Sequence, residues 1–235
     1  MAKTVGFACA LKLSWLNKAA EMRTENLSVA DYKAALNEYL SFEIAPGTVR
    51  LRKTRDLLMN IWYYDTESTK QARTEAQNLL SKYPESAPAI HLCMIYLVYP
   101  VFADICKYMG RIFEFQDEVT NAQLTQKLYD EWGERGALET TCRRVSLTLK
   151  EIGLLKAVTK FKNAPVKMSI AKQDVVSFLL ATAMKIDGGS YYSFSELIGL
   201  NQLFPFEFAL SKEQLMTDEH FAVTNFGGEL TVALK

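Results

Sequence analysis

The chain has 235 residues, 49% of them hydrophobic and 23% charged, which excludes wholesale disorder and allows two or three packed subdomains. Its 27 basic and 27 acidic side chains cancel overall. They are unevenly placed: residues 1–118 hold 14 of each sign, residues 119–172 hold 10 basic against 5 acidic, and residues 173–235 hold 3 against 8. A contiguous basic stretch is what a polyanion reads, whatever the overall charge. Cys9, Cys93, Cys106 and Cys142 share no C-x-x-C spacing and sit among apolar residues, the pattern of buried free thiols in a reducing compartment. Met1 to Thr4 lead into no long apolar region with a small-residue cleavage site, so no export signal is expected and the cytoplasm is the expected location.

The first half reads as helix after helix. Leu11, Trp15, Leu16 and Ala19 recur at helical spacing. Ser28 is a good N-cap for a helix carrying Tyr32, Leu36, Tyr39 and Leu40, which ends before Pro46-Gly47. Thr48 caps the next, Val49–Trp62, with Leu51, Leu58, Ile61 and Trp62 inward. Residues 69–83 form a polar helix closed by Pro84. Residues 87–106 are strongly apolar, but His91, Pro100 and Asp104 interrupt them and no Lys or Arg precedes them closely. A bilayer span takes about 20 apolar residues, so a central buried helix kinked near Pro100 is expected instead. Nothing alternates with period two, and a helical bundle is expected over residues 1–117.

At Asp117 the texture changes. Val119-Thr120 is a short extended piece, and Asn121 is expected to cap a helix over 122–132 with Leu124, Leu128 and Trp132 on one stripe. Gly133 and Gly136 bracket a tight turn, and a second helix over 137–152 stops at Gly153. Residues 154–170 are rich in β-branched side chains, with Asn163-Ala164-Pro165 as the turn signal between two short strands. Helix, glycine-containing turn, helix and basic hairpin is the order of a winged helix-turn-helix, expected over residues 118–171. Residues 172–235 are expected to pack on it as a helix over 174–186, a break at Gly188-Gly189, a short helix near 195–200 and a hairpin. The hairpin strands, 221–226 and 229–234, meet at Gly227-Gly228, a turn that pairs 225 with 230, 223 with 232 and 221 with 234. Phe221, Val223, Leu230, Val232 and Leu234 then share a face. The expected fold class is mainly α.

The helix over 137–152 carries the functional expectation. Leu138, Cys142, Val145, Leu149 and Ile152 fall on one narrow core stripe. The opposite side presents Thr140, Arg143, Leu147 and Lys150, flanked by Glu139, Arg144 and Ser146. Such a face suits a major groove, with Arg143 placed for a bidentate contact to guanine and Thr140 or Ser146 for base edges or phosphate. Lys156, Lys160, Lys162, Lys167 and Lys172 follow with no acid among them, which suits phosphate contacts from a hairpin beside a recognition helix. A second cluster, Arg50, Arg52, Lys53 and Arg55, opens the third helix, where cations oppose the macrodipole and call for an anion, phosphate being one candidate.

No catalytic site is indicated. His91 and His220 are isolated in sequence, and there is no G-x-x-x-x-G-K-[ST], G-x-G-x-x-G or H-x-x-x-H. The pairs Asp130-Glu131 and Asp218-Glu219 read as solvated surface.

Three stretches carry a resemblance: Val49-Arg-Leu-Arg-Lys-Thr-Arg-Asp-Leu-Leu; Tyr99-Pro-Val-Phe-Ala-Asp; and Glu131-Trp-Gly-Glu-Arg followed by Thr141-Cys-Arg-Arg-Val-Ser-Leu-Thr-Leu-Lys-Glu-Ile-Gly-Leu-Leu. Across residues 10–170 they resemble the BrxA family of BREX phage-defence gene clusters. The resemblance implies a helical N-terminal domain and a winged-helix-like part that binds DNA. Members have also been labelled inner-membrane proteins, which the broken run at 87–106 argues against. The expectation is a non-catalytic accessory protein of a prokaryotic anti-phage system. Its partners would be double-stranded DNA and other proteins of that system, with no membrane, metal or cofactor. The alternative is a protein-interaction adaptor whose winged helix docks a larger defence enzyme.

Overall fold

The structure, a computed structural model, describes residues 6–23, 27–67, 69–226 and 229–235. It is mainly helical. Helix α1 (Leu13–Met22) buries Trp15, Leu16, Ala19 and Ala20. Helix α2 (Val29–Ser41) starts where the Ser28 hydroxyl accepts the Asp31 N–H at 3.1 Å, and α3 (Val49–Trp62) where Thr48 does the same for Leu51 at 3.2 Å. Both caps satisfy N–H groups that a first helical turn leaves without partners. Helix α4 (Lys70–Lys82) contributes the fully buried Arg73. Its guanidinium donates to the carbonyls of Ile61 (2.9 Å) and Asn60 (3.3 Å) and pairs with Asp65, so a cation closes the C-terminal end of α3.

The apolar run forms two helices, α5 (Ala87–Val98) and α6 (Pro100–Phe113), where one kinked helix was expected. Pro100 lacks an N–H and drives the preceding residue out of the helical region, and Tyr99 sits at φ −124°, ψ 86°. Tyr99 still closes α5 with its N–H on the Ile95 carbonyl at 2.8 Å. Helix α5 is buried nearly all round and touches α1, α3, α4 and α6. No helix among the described residues is long and apolar enough to cross a membrane.

The middle of the chain runs β1 (Val119–Thr120), α7 (Asn121–Trp132), α8 (Gly136–Glu151), β2 (Leu155–Ala157) and β3 (Lys162–Pro165). The strands form one antiparallel sheet in the order β1-β3-β2. Helix α6 packs on α7, α8 and β1, and the Trp132 indole donates to Asp104 at 2.9 Å. Two local expectations fail. The N-cap of α7 is Thr120, which forms a reciprocal box with Gln123, because the Asn121 side chain is taken up by Ser146 of α8. The hairpin turns at residues 158–161. The Asn163-Ala164-Pro165 signal lies inside β3, where buried Asn163 pairs with Val119 on one side and Ala157 on the other.

The last part holds β4 (Met168–Ile170), α9 (Gln173–Asp187), β5 (Tyr192–Ser193), α10 (Phe194–Ile198), β6 (Phe206–Phe208), α11 (Lys212–Thr217), β7 (Phe221–Phe226) and β8 (Glu229–Leu234). Strand β4 pairs in parallel with β6, and β5 adds to the β7–β8 hairpin. The hairpin register is the expected one: 221 with 234, 223 with 232, 225 with 230. Phe221 and Val232 are buried and Leu234 is exposed. The turn expected at Gly227-Gly228 lies outside the described residues. Helix α9 rests along α5, so the C-terminal unit packs chiefly on the bundle, where the basic module was expected to receive it. Val175, Val176, Phe178, Leu179, Leu180, Ala183 and Met184 are all buried there, giving α5 its missing side.

His220, immediately before β7, locks that unit in place. Its Nε2 meets Glu75 of α4 at 2.9 Å and its Nδ1 meets Asp218 at 2.8 Å, while Ser177 of α9 donates to the same aspartate. Asp218 is thus a tertiary partner, where solvated surface was expected. Hydrogen bonds to Glu75 and then Asp218 hold the imidazolium, raising its pKa from 6.5 to about 9. A raised folded-state pKa gives stability that is fully present below about pH 6.5 and lost as pH climbs through about 9. Urea denaturation should therefore show a fall on the order of 2 kcal/mol between about pH 6.5 and 9.5. Glu75→Gln should flatten that slope, and equal slopes in both proteins would refute the lock.

Candidate nucleic-acid interface

Helix α8 sits as its stripe demands: Leu138, Cys142, Val145 and Leu149 are fully buried against α7 and α6. Its free side is a single ridge at four-residue spacing, Glu139, Arg143, Leu147 and Glu151. Leu147 is 45% exposed, with Thr140, Arg144 and Lys150 half-buried on the shoulders. Arg143 approaches Glu139 at 3.6 Å with both side chains 59% exposed, a contact of little energy and easily exchanged.

The ridge is narrower than the sequence suggests. Ser146 is buried and donates its hydroxyl to Asn121 Oδ1 at 2.6 Å, stapling α8 to the start of α7, so it reaches no ligand. Thr148 is buried on the other flank, where its oxygen accepts the Leu11 N–H at 3.0 Å and the N-terminal segment covers it.

The hairpin lysines divide into two groups. Lys156 and Lys160 are exposed and have no carboxylate partner among the described residues. Lys162 pairs with Glu118 at 2.8 Å and Lys167 with Glu207 at 2.7 Å. The hydrogen bond to Glu207 holds the Lys167 pKa above its usual range. The Lys172 ammonium lies 5.4 Å from the centre of the Tyr83 ring. Acids from outside the basic stretch therefore answer part of its charge. The turn itself is ordered: Val158 N–H bonds the Lys162 carbonyl at 2.9 Å, and Thr159 Oγ1 accepts from the N–H groups of Phe161 (3.3 Å) and Lys162 (3.2 Å). Val158 and Phe161, which sequence reasoning passed over, stand exposed at its apex. Their signal was the alternation Lys160-Phe161-Lys162.

The second cluster also divides. Arg50, Arg52 and Lys53 are exposed. Arg55 is buried, donating from Nε (3.0 Å) and Nη2 (2.6 Å) to Asp56 and from Nη1 to Asn37 of α2 at 3.2 Å, so it joins two helices and is removed from the candidate surface. Glu43 supplies an anion near the start of α3. Hydrogen bonds from Lys12 and the Trp15 indole hold its carboxyl below the usual range, and Arg50 adds to the effect. The segment before α1 links this region to α8: Lys12 pairs with Glu43, and the adjacent Leu11 N–H donates to Thr148 of α8 at 3.0 Å.

His91, Cys93 and Cys106 are packed away. His91 is fully buried, its Nε2 2.7 Å from Asn17 Oδ1, and burial pushes its pKa down to about 3. Burial pushes the thiols of Cys93 and Cys106 up to about 12. No group of His, Cys, Asp and Glu suited to a metal ion occurs among the described residues.

The facing of α8 is open to test by two substitutions. Arg143→Ala should leave the urea midpoint almost unchanged, within about 0.5 kcal/mol. Val145→Asp places a charge in the core and should unfold the α7–α8 unit, a loss of about 4 kcal/mol or more. Early melting of Arg143→Ala with a normally folded Val145→Asp would mean that the helix faces the other way. Comparison of the chain with family models, with curated proteins and with solved structures finds no match.

Proposed function

We propose that α6, β1, α7, α8, β2 and β3 form a winged helix-turn-helix, and that the chain is a non-catalytic double-stranded DNA-binding accessory protein of a BREX-type anti-phage system. The element order and the β1-β3-β2 sheet support the first part. One observation carries the second: the ridge of α8 with Arg143 runs directly into a hairpin whose Lys156 and Lys160 are exposed and without a carboxylate partner among the described residues. Arg143 exchanges Glu139 for a guanine edge, Thr140 and Leu147 contact base edges and a thymine methyl, and Lys150 and Arg144 reach phosphates from the shoulders. Lys156 and Lys160 hold the backbone beside the helix, joined by Lys162 and Lys167 when phosphate replaces their glutamates. Arg50, Arg52 and Lys53 extend the contact from the start of α3. The resemblance to BrxA proteins supports the defence setting.

A second reading, a protein-docking adaptor, is favoured by the exposed Leu147, Val158 and Phe161 and by the two acids on the ridge. Binding to random duplex DNA, followed by anisotropy between about 50 and 200 mM salt, separates the two. The DNA reading expects log K to fall linearly with log salt, and Lys156→Ala with Lys160→Ala to lower the slope by about one to two. Arg143→Ala should weaken a preferred site by roughly 1–3 kcal/mol and random DNA less. Absence of binding at low salt leaves the docking reading alone.

A further inference from the structure

The hairpin apex holds a feature that phosphate contact does not use. Phe161 is 70% exposed and Val158 47%, so neither contributes much to the core. Phe42 and Phe115 are also exposed, but Phe42 precedes Glu43, and Phe115 stands between Glu114 and Gln116-Asp117. Phe161 alone among these has a lysine on each side, and the Lys160 ammonium lies 5.4 Å from its ring centre. An aromatic ring bracketed by cations is matched to a surface that is anionic outside and flat and apolar inside, which describes a stacked duplex. The backbone that carries the ring is also held in place. The Thr159 hydroxyl takes the Phe161 N–H, and the flanking strands are registered by the Val158 to Lys162 hydrogen bond.

We infer that Phe161 is a wedge that enters the minor groove from the hairpin apex and inserts between two base pairs, with Lys160 on a phosphate at one side and Lys162, once a phosphate displaces its Glu118, at the other. This rests on the DNA reading above and deepens it by naming the substrate class: duplex with an easily unstacked step. The minor groove is about 6 Å wide, too narrow for a helix, and the apex of a two-stranded ribbon presents only its end side chains to it. Phenylalanine is among the side chains that unstack base steps in this way, at a cost that is lowest for flexible pyrimidine–purine steps such as TA. The helix then reads one groove while the ring selects deformability in the next.

The test uses the full chain and a duplex carrying 2-aminopurine at a central TA step, whose fluorescence rises when the base loses its neighbour. Wild-type protein should raise the emission on binding. Phe161→Ala should keep its melting temperature and its salt slope, lose the fluorescence rise, and bind about tenfold more weakly. Lys160→Ala should keep the rise while lowering the slope by about one. DNA bound by the wild type without any rise overturns the wedge and leaves the DNA reading standing, as does an undiminished rise with Phe161→Ala. Failure of the wild type to bind duplex at low salt takes down both.

Discussion

Helix α5 has no polar side to give to water, and the rest of the chain is arranged around that constraint. From Ala89 to Tyr96 every residue is buried, so α5 needs partners in all directions. Helices α1, α3 and α4 cover part of it, α6 turns back from Tyr99-Pro100, and α9 arrives from late in the chain to cover the remainder. Each buried Leu, Ile or Met on such a helix contributes about 1.5–3 kcal/mol by leaving water, far more than any surface ion pair. His91 sits in the middle of this helix because it is kept neutral, with Asn17 on one nitrogen and the edge of Trp62 against its ring at 5.1 Å between centres.

The acidic character of residues 173–235 finds its use in that same arrangement. Asp174 meets Lys82, Asp187 meets Lys107 and Glu207 meets Lys167, so three carboxylates of the late segment face lysines of earlier elements. These pairs are partly or largely exposed and individually weak, so they set the orientation of α9 and β6 while apolar burial holds them. The parallel pairing of β4 with β6 and the joint of Glu75, His220, Asp218 and Ser177 fasten the same segment to earlier parts of the chain. One hydrophobic cluster runs from Phe7 to Val232 as a result.

What the sequence revealed was whatever is decided within a few residues. Ser28 and Thr48 are caps because each hydroxyl directly precedes a helix and lies three residues before the N–H it accepts, and the β7–β8 register follows from the alternation in sequence on either side of Gly227-Gly228. The facing of α8 was legible in its apolar stripe. Arg55 was legible too and was misread: Leu51, Arg55, Leu58 and Trp62 form one inward row, so the arginine lay on the core side of α3 from the start. Ser146 likewise neighbours the Cys142, Val145 and Leu149 stripe. Other features depend on distant partners and left no local trace. Thr120 outcompetes Asn121 as a cap because Ser146 claims the asparagine, and the Asn163-Ala164-Pro165 signal yields to a strand position between two neighbours. The glutamates that answer Lys162 and Lys167 lie 44 and 40 residues away, beyond any windowed charge count.

The ridge of α8 bears on how affinity and discrimination divide between elements. Glu139 and Glu151 flank Arg143 and Leu147 at one-turn spacing, so the ridge carries more negative than positive charge and is repelled by phosphate unless Arg143 finds a better partner than Glu139. A guanine edge offers two acceptors in the plane of the guanidinium, whereas the glutamate contact is a single long one in water. Under the proposed function the helix therefore contributes little to binding on random sequence and penalises sites that leave Arg143 unpaired. General affinity then falls to the exposed Lys156 and Lys160 of the hairpin and to Arg50, Arg52 and Lys53 at the start of α3, groups suited to phosphates and not to base edges. On that proposal a chain of zero net charge must place its acids elsewhere, and three of them lie in the ion pairs that fasten the C-terminal unit.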